Sequence, residues 1–266
     1  SLVALIYGLV EAPASGWASA QTVLLLAGAG LGLIAFVAVE SRVRQPLVRL
    51  AVFRRRPTVI ALALMMAGMG TVMSAFFFLT LYLQYVLGHS ALRTGIEFLP
   101  GAVLLVAAAH AGGRIVAAHG VKPVLAGGMA LGGLGALLLS GVSAGGGYVS
   151  DVLPGLLVLD AGIGLAASGI FITAMAGAGH DDAGLISGLT STAHEIGIAL
   201  VLAVLSSIAF GGTLASVAAA DPAAVTSGLR DALLGAAALA LAAGALAATA
   251  LRRSDVATGG HPAFAH

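Results

Sequence analysis

Cysteine is absent from this 266-residue chain, and charged and aromatic side chains are scarce. Without cysteine the chain can form neither a disulfide nor a thiolate metal site, and no compartment is indicated. Charged residues make up only 9% of the chain, against about 25% in a typical soluble domain. The net charge of +1 and the 5% of aromatic residues offer neither the basic field nor the stacking platform of a nucleic-acid binder. We therefore expect no nucleic-acid partner.

Apolar residues dominate the sequence. They form 59% of the chain, and the mean hydropathy is +1.07. A helix needs about 20 residues to cross the hydrocarbon core of a bilayer, and one partial run and seven complete runs approach or exceed that length. The runs cover residues 1–10, 21–39, 58–86, 98–116, 123–142, 152–175, 185–210 and 228–251. The sequence predicts an all-α, polytopic membrane protein that lies in a lipid bilayer.

Proline, glycine and polar residues mark the breaks between these runs. Glu11 and Pro13 are expected to close the first run. Pro100 is expected to open the fourth, because a proline at the start of a helix loses no hydrogen bond. The turn after the fourth run is assigned to Gly112, Gly113, Gly120 and Pro123, and residues 211–227 form the longest predicted connection.

Lysine and arginine fall almost entirely on one side of the predicted membrane. Arg93 and Arg230 lie on the other side. The remaining ten are Arg42, Arg44, Arg49, Arg54, Arg55, Arg56, Arg114, Lys122, Arg252 and Arg253. Cytoplasmic loops carry an excess of basic residues, so the loops at 40–57, 112–122 and 176–184 and the C-terminal tail are predicted to be cytoplasmic. The turn at 89–97 is then on the outer face.

Three stretches carry a resemblance to a known family. They are LYLQYVLGHSALRTGIEFLPG at 81–101, GGRIVAAHGVKP at 112–123 and ISGLTSTAHEIGIALVLAVLSSI at 186–208. Together they resemble the C-terminal half of the major facilitator superfamily and, more narrowly, its fourteen-span drug:proton antiporters. In the second stretch Gly113, Gly120 and Lys122 match the superfamily's loop motif, but Ala117 stands where the motif has an aspartate. The resemblance therefore does not extend to the gating salt bridge of that loop.

This resemblance implies a domain organisation. Residues 1–39 would hold the end of one linker helix and a second complete one, 40–57 a basic cytoplasmic loop, 58–251 the C-terminal six-helix bundle, and 252–266 a cytoplasmic tail. The missing partner would be the N-terminal half of the same transporter. The first residue, Ser1 and not Met, also indicates a fragment of a longer protein.

The function implied is proton-coupled efflux of lipophilic drugs or antibiotics across the cell membrane. The proton gradient would drive transport with no cofactor, and the chain would not be an enzyme. Two alternatives stay open. One keeps the fold but exports a metabolite, peptide or siderophore, and the other is a non-transporting membrane fragment that binds a partner half.

Two acidic residues, Asp160 and Glu195, are placed well inside the apolar runs. A charge at the centre of a membrane helix costs about 2.5–3.5 kcal/mol, so such acids face a cavity or carry a proton. Both are therefore candidates for proton coupling, and a structural hydrogen bond to another helix is the alternative. His194 is a third candidate, although successive helical residues point about 100° apart, so that it need not act with Glu195.

A stripe of large flexible side chains on the third run is the candidate substrate site. Met65, Met69, Met73, Phe77 and Gln84 fall on one face of a helix. Methionine suits promiscuous binding because its side chain is flexible and polarizable. The residues assigned to substrate are Met69, Met73, Phe77 and Gln84, with ordinary helix packing as the alternative.

Several other patterns are assigned no chemistry. GIGLAA at 162–167 follows no strand, and Ile198 stands where a zinc-protease motif starting at His194 needs its second histidine. The GxxxG spacing of Gly128 and Gly132 predicts close helix packing and not a dimer face. Two further groups are expected to be solvated. They are the pair Arg93 and Glu97 and the loop acids and histidine His180, Asp181 and Asp182.

Overall fold

The computed structural model describes residues 2–43, 49–176, 182–210 and 221–251. Within these ranges the chain forms eight α-helices and no strand. The helices are α1 Leu2–Ser15, α2 Ala20–Glu40, α3 Arg56–Leu81, α4 Ala91–His119, α5 Val121–Leu139, α6 Leu153–Met175, α7 Ala183–Phe210 and α8 Pro222–Ala250. All but α1 are long and apolar enough to cross a membrane. The predicted all-α membrane fold is confirmed, with one short helix and seven long ones.

Local sequence signals begin several of these helices. Ser19 and Ser90 cap α2 and α4, and each side chain accepts a hydrogen bond from the backbone N–H three residues later. Such caps satisfy donors that have no partner inside the helix. Pro57 and Pro222 lie in the first turns of α3 and α8, where proline is tolerated.

The start of α4 differs from the prediction. The helix begins at Ala91, and Pro100 lies inside it. The interpretation of Pro100 as a helix start was wrong because Ser90 already provides a cap ten residues earlier. The polar residues between Ser90 and Pro100 were assigned to a loop, but they form the first turns of the helix. Proline inside a helix removes one backbone hydrogen bond and weakens the helix at that point.

Three other boundaries are also corrected. Helix α1 continues through Pro13 to Ser15, and α8 starts at Pro222, six residues before its predicted run. Gly112 and Gly113 lie within α4, so that the turn to α5 consists of Gly120 alone. Gly120 has a φ of 85°, a left-handed conformation that glycine adopts without steric cost. Of the predicted connection at 211–227, residues 211–220 lie outside the described ranges.

Helices α3 to α8 share one hydrophobic core. Helices α5 and α6 approach each other closely where Gly128 and Gly132 face Gly162 and Ile163. A Cβ at Gly128 would lie 2.8 Å from the carbonyl oxygen of Gly162. The predicted role of the GxxxG pair in helix packing is confirmed, and its face is occupied by α6.

Helices α1 and α2 form a hairpin that is attached to α7. Leu9 of α1 packs with Ala199 and Ala203 of α7 in a small cluster separate from the main core. At the turn of the hairpin, Trp17 Nε1 donates a hydrogen bond to Ser207 Oγ across 2.6 Å. The hairpin therefore packs on the outside of the helix that also carries His194 and Glu195.

Polar contacts define two ends of the bundle. At one end, which we call the basic face, Arg49 and Arg55 before α3 bind Asp182 before α7. At the other end, the opposite face, Tyr148 donates to the carbonyl oxygen of Glu97, and Arg230 donates to that of Ser140. The segments that meet at each end are the ones that the distribution of lysine and arginine assigned to the same side of the membrane.

Candidate functional site

A groove opens on the bundle between α3, α6 and α7. Its volume is about 310 Å³, and its lining is formed by Met65, Phe171, Ser187, Thr190, Ser191, His194 and Glu195. The five residues from α7 are related by spacings of three and four, so they lie on one face of that helix. The groove therefore has an apolar wall from α3 and α6 and a polar wall from α7.

The polar wall ends in two side chains that are hydrogen-bonded to each other. Nδ1 of His194 lies 3.0 Å from Oε1 of Glu195. The side chains are 37% and 66% exposed, and Glu195 makes no hydrogen bond to another helix among the described residues. Its backbone is deep in the helix, but the carboxylate opens into the groove. The two side chains are in contact because they bend toward each other, although their Cα–Cβ bonds diverge.

Asp160 has the opposite environment. It is fully buried at the contact between α6 and α4, and neither carboxylate oxygen has a hydrogen-bond donor among the described residues. Gly101 of α4 lies directly against it, since a Cβ at that position would collide with Oδ2. Of the two acids that the sequence placed in the membrane, Asp160 alone is enclosed.

The predicted substrate stripe lies farther along α3. Met69, Met73 and Phe77 are half-buried and pack on the edge of the core. Gln84 is half-buried in the π-helical turn Tyr82–Val86 that continues α3. None of these four residues lines the groove, whereas Met65, one turn closer to the basic face, does. The structure thus places the start of the stripe in the groove and the rest of it toward the opposite face.

An ion pair at the basic face was not anticipated. Asp182 is buried and accepts from Nη1 of Arg49 at 3.1 Å and from Nη2 of Arg55 at 2.8 Å. A solvated loop acid was expected at position 182. His180 and Asp181, its predicted neighbours, lie outside the described residues. No spacing signal could have revealed this contact, because the partners are more than 120 positions apart.

A second polar cluster lies at the opposite face. The predicted pair of Arg93 and Glu97 is present at 3.0 Å, but Glu97 is buried and not solvated. It also lies 2.9 Å from Nδ1 of His89, and its carbonyl oxygen accepts from Tyr148 at 2.6 Å. These contacts join the start of α4 to the segments before α4 and α6.

The groove has the chemistry of a binding site for amphiphilic solutes. Phe171 and Met65 offer apolar surface, the hydroxyls of Ser187, Thr190 and Ser191 can donate or accept hydrogen bonds, and Glu195 can bind a proton or a cation. Among residues with described positions, no group of three or more histidine and acidic side chains is arranged to hold a metal.

Comparison with known proteins returns an export protein and transporters. The cephamycin export protein of Amycolatopsis lactamdurans is 34% identical over 91% of this chain and 49% of its own length. A probable actinorhodin transporter of Streptomyces coelicolor is 33% identical over 79% of this chain and 37% of its own. The uncharacterized MFS-type transporter EfpA of Mycobacterium tuberculosis is 29% identical over 76% of this chain and 38% of its own length. The chain thus spans half or less of these relatives. No protein-family model matches it.

Proposed function

Because the chain belongs to the major facilitator superfamily of membrane transporters, we propose that it is the C-terminal part of a carrier that expels lipophilic drugs or antibiotics in exchange for protons. The observation that carries this proposal is the groove, in which a His194–Glu195 pair stands beside apolar side chains on membrane-length helices. Relatives named for antibiotic export support the choice of cargo.

The lining of the groove fits a lipophilic molecule with a few polar groups. Such a molecule covers Met65 and Phe171 with its apolar part and pairs with the α7 hydroxyls and Glu195 through its polar groups. A pocket of this kind accepts varied shapes, because few polar contacts are fixed and methionine adapts to its partner. Met69, Met73, Phe77 and Gln84 would extend the contact along α3 as the bound molecule moves toward the opposite face.

Proton exchange is assigned to the acids. The Glu195 carboxylate, open to the groove, can attract a cationic drug, whereas its protonated form cannot. Binding of a proton and binding of drug are then mutually exclusive at this side chain, which is the thermodynamic requirement for exchange. His194 orients the carboxylate through the 3.0 Å contact. Asp160 would be a second proton-binding group, enclosed where Glu195 is accessible.

The same function implies how the bundle is oriented in the membrane and which half of the carrier it contacts. The groove would face the N-terminal half of the carrier, with the substrate site near the midplane between the two halves. The α1–α2 hairpin would be the linker between them, and the chain from 58 to 251 the C-terminal bundle. The basic face would be cytoplasmic, with the protein in the plasma membrane and its C-terminus inside. The proton gradient would be the driving force, with no cofactor.

Transport in vesicles tests this function. The gene product that contains this chain is reconstituted, a pH gradient is imposed, and the movement of a fluorescent lipophilic cation is followed. We expect movement against the concentration gradient of the dye that stops when an ionophore collapses the pH gradient. Drug:proton exchange would be refuted if none of a panel of lipophilic cations and antibiotics were transported in response to the pH gradient.

A further inference from the structure

Two buried glycines lie where the backbones of α3 and α7 touch, Gly70 on α3 and Gly197 on α7. A Cβ at Gly197 would collide with Cα of Met66 and would lie 2.5 Å from the carbonyl oxygen of that residue. A Cβ at Gly70 would collide with the side chain of Val201 and would lie 2.8 Å from the carbonyl oxygen of Gly197. Small residues allow helix backbones to approach this closely. Neither position has room for a side chain.

This contact lies at one end of the groove. Gly197 follows Glu195 by two residues, a rise of about 3 Å along α7. Met66 follows Met65, which supplies the apolar wall on α3. The polar wall runs from Glu195 back along α7 to Ser187. The backbone contact therefore sets the distance between the two walls where the carboxylate stands.

The other end of this part of α7 is held by the ion pair at the basic face. Asp182, the residue before α7, binds Arg49 and Arg55, which precede α3. The polar wall thus lies between two attachments to the α3 side, one ionic and one between backbones. Helix α7 packs far less on α6, which supplies Phe171, than on α3. The position of the polar wall is therefore determined mainly by α3.

The width of the groove restricts what can enter it. Its volume of about 310 Å³ is at the lower limit of the roughly 300–1,000 Å³ that drug-sized ligands occupy. One methylene more or less in an apolar pocket changes the discrimination between ligands by about 10–200-fold. A small change in the distance between the walls is therefore enough to change which solutes fit.

We propose that Gly197 and Gly70 are positioning residues that hold the polar wall close to Met65 and thereby limit the width of the solute that the groove accepts. Neither glycine is part of the lining, so both act through the distance between α3 and α7. The effect on bound drugs rests on the proposed function, whereas the spacing of the walls does not.

Gly197→Ala is expected to widen the groove. Ordinary contact with the carbonyl oxygen of Met66 requires at least 3.4 Å in place of 2.5 Å, so the helices must separate by about 1 Å. No side-chain movement can absorb the difference, because the opposing atoms of Met66 belong to the backbone.

The separation is measured with a pair of spin labels across the groove. Phe171 of α6 and Ser191 of α7 are exposed lining residues, and this chain has no cysteine. Phe171→Cys and Ser191→Cys are introduced in the gene product that contains this chain, freed of any other cysteine. The distance between the labels is read by electron paramagnetic resonance in lipid and should increase in Gly197→Ala.

The binding of two phosphonium cations reports the width as selectivity. Methyltriphenylphosphonium and tetraphenylphosphonium carry the same charge and differ by a methyl against a phenyl group. In Gly197→Ala the ratio of their Kd values is expected to shift toward the bulkier cation by at least about tenfold, the lower end of discrimination by one methylene. A variant that only destabilised the fold would weaken both cations alike and leave the ratio unchanged.

Two further glycine variants complete the experiment. Gly184 is also on α7, but it is exposed and has open space where a Cβ would stand. Gly184→Ala should therefore match the parent in label distance and in Kd ratio. Gly70→Ala disturbs the same contact from α3 and should reproduce both changes, so the test holds even if Gly197→Ala fails to insert.

The outcomes separate the spacing role from the drug-binding function. An unchanged label distance in an inserted Gly197→Ala or Gly70→Ala variant, or an equal change in Gly184→Ala, would overturn the positioning role. A wider groove with an unchanged Kd ratio would overturn the limit on solute width. If neither cation binds the parent but the label distance increases as expected, the proposed drug binding fails and the spacing role stands.

Discussion

Nη2 of Arg55 donates a hydrogen bond to Oδ2 of Asp182 across 2.8 Å, and Nη1 of Arg49 binds the other carboxylate oxygen. The contact joins the segment before α3 to the start of α7, the two helices that flank the groove. The partners differ in environment, because the Asp182 side chain is 8% exposed and those of Arg49 and Arg55 are 56% and 35% exposed.

This difference predicts unequal effects of removing each side of the ion pair. The double substitution Arg49→Gln with Arg55→Gln leaves a buried carboxylate without a cation, a change that costs about 3–5 kcal/mol in buried pairs. Asp182→Asn leaves two arginines that are 56% and 35% exposed, so a smaller loss of about 1 kcal/mol is expected. Thermal unfolding of the detergent-purified protein measures both losses of stability.

Arg54→Gln is the matched control for that experiment. Arg54 lies beside Arg55 and is exposed, with no ion pair to any described residue. Its replacement should leave the unfolding temperature unchanged. Equal losses for the arginine pair and for Asp182→Asn would show that the carboxylate is solvated and contradict the structural account.

Most of the fold followed from composition and run length. The seven membrane-length helices were predicted because about 20 apolar residues in succession have few alternatives. Helix ends were predicted less well where two signals competed. At α4, the cap at Ser90 determined the start and Pro100 did not. At α8, Pro222 began the helix within a stretch of alanine and polar residues whose low hydropathy suggested a connection.

The candidate site was predicted only in part. Depth within the apolar runs identified both Asp160 and Glu195 as intramembrane acids. Periodicity does not reveal which helix covers a given face, so the sequence could not distinguish the enclosed Asp160 from the exposed Glu195. The contacts of Asp182 with two arginines, and those of Glu97 with His89 and Tyr148, were missed for a related reason. Their partners lie on other segments, and a single sequence contains no record of contacts between segments.

Two adjacent glycines of α5 provide a test of helix packing. A Cβ at Gly128 would lie 2.8 Å from the backbone of Ala166 and Gly162, whereas Gly127 has open space. Overpacking of this kind costs about 1–3 kcal/mol, so Gly128→Ala should lower the unfolding temperature. Gly127→Ala should preserve or raise stability, because alanine favours a helix over glycine by about 1 kcal/mol. Equal effects would contradict the close α5–α6 contact.

The attachment of the α1–α2 hairpin depends in part on Trp17 and Ser207. Trp17→Phe keeps the apolar ring but loses the 2.6 Å hydrogen bond, at an expected cost of about 0.5–1.5 kcal/mol. Ser207→Ala should cost a similar amount, and the double variant should cost less than the sum, because both substitutions remove the same bond. Protease sensitivity of the turn between α1 and α2 measures the loosening. Strict additivity would mean that the bond does not hold the hairpin.

Glu195 and His194 give the most direct prediction for transport. Glu195→Gln keeps the size and hydrogen-bonding capacity of the side chain but cannot exchange a proton. We expect the protein to insert normally and to lose acceleration of drug transport by a pH gradient, measured in vesicles with and without the gradient. His194→Gln removes the group that orients the carboxylate and should reduce the acceleration without abolishing it. Asp231→Asn, which changes an exposed acid on α8, is the control and should behave as the parent. If Glu195→Gln still responds fully to the gradient, proton coupling does not occur at this groove.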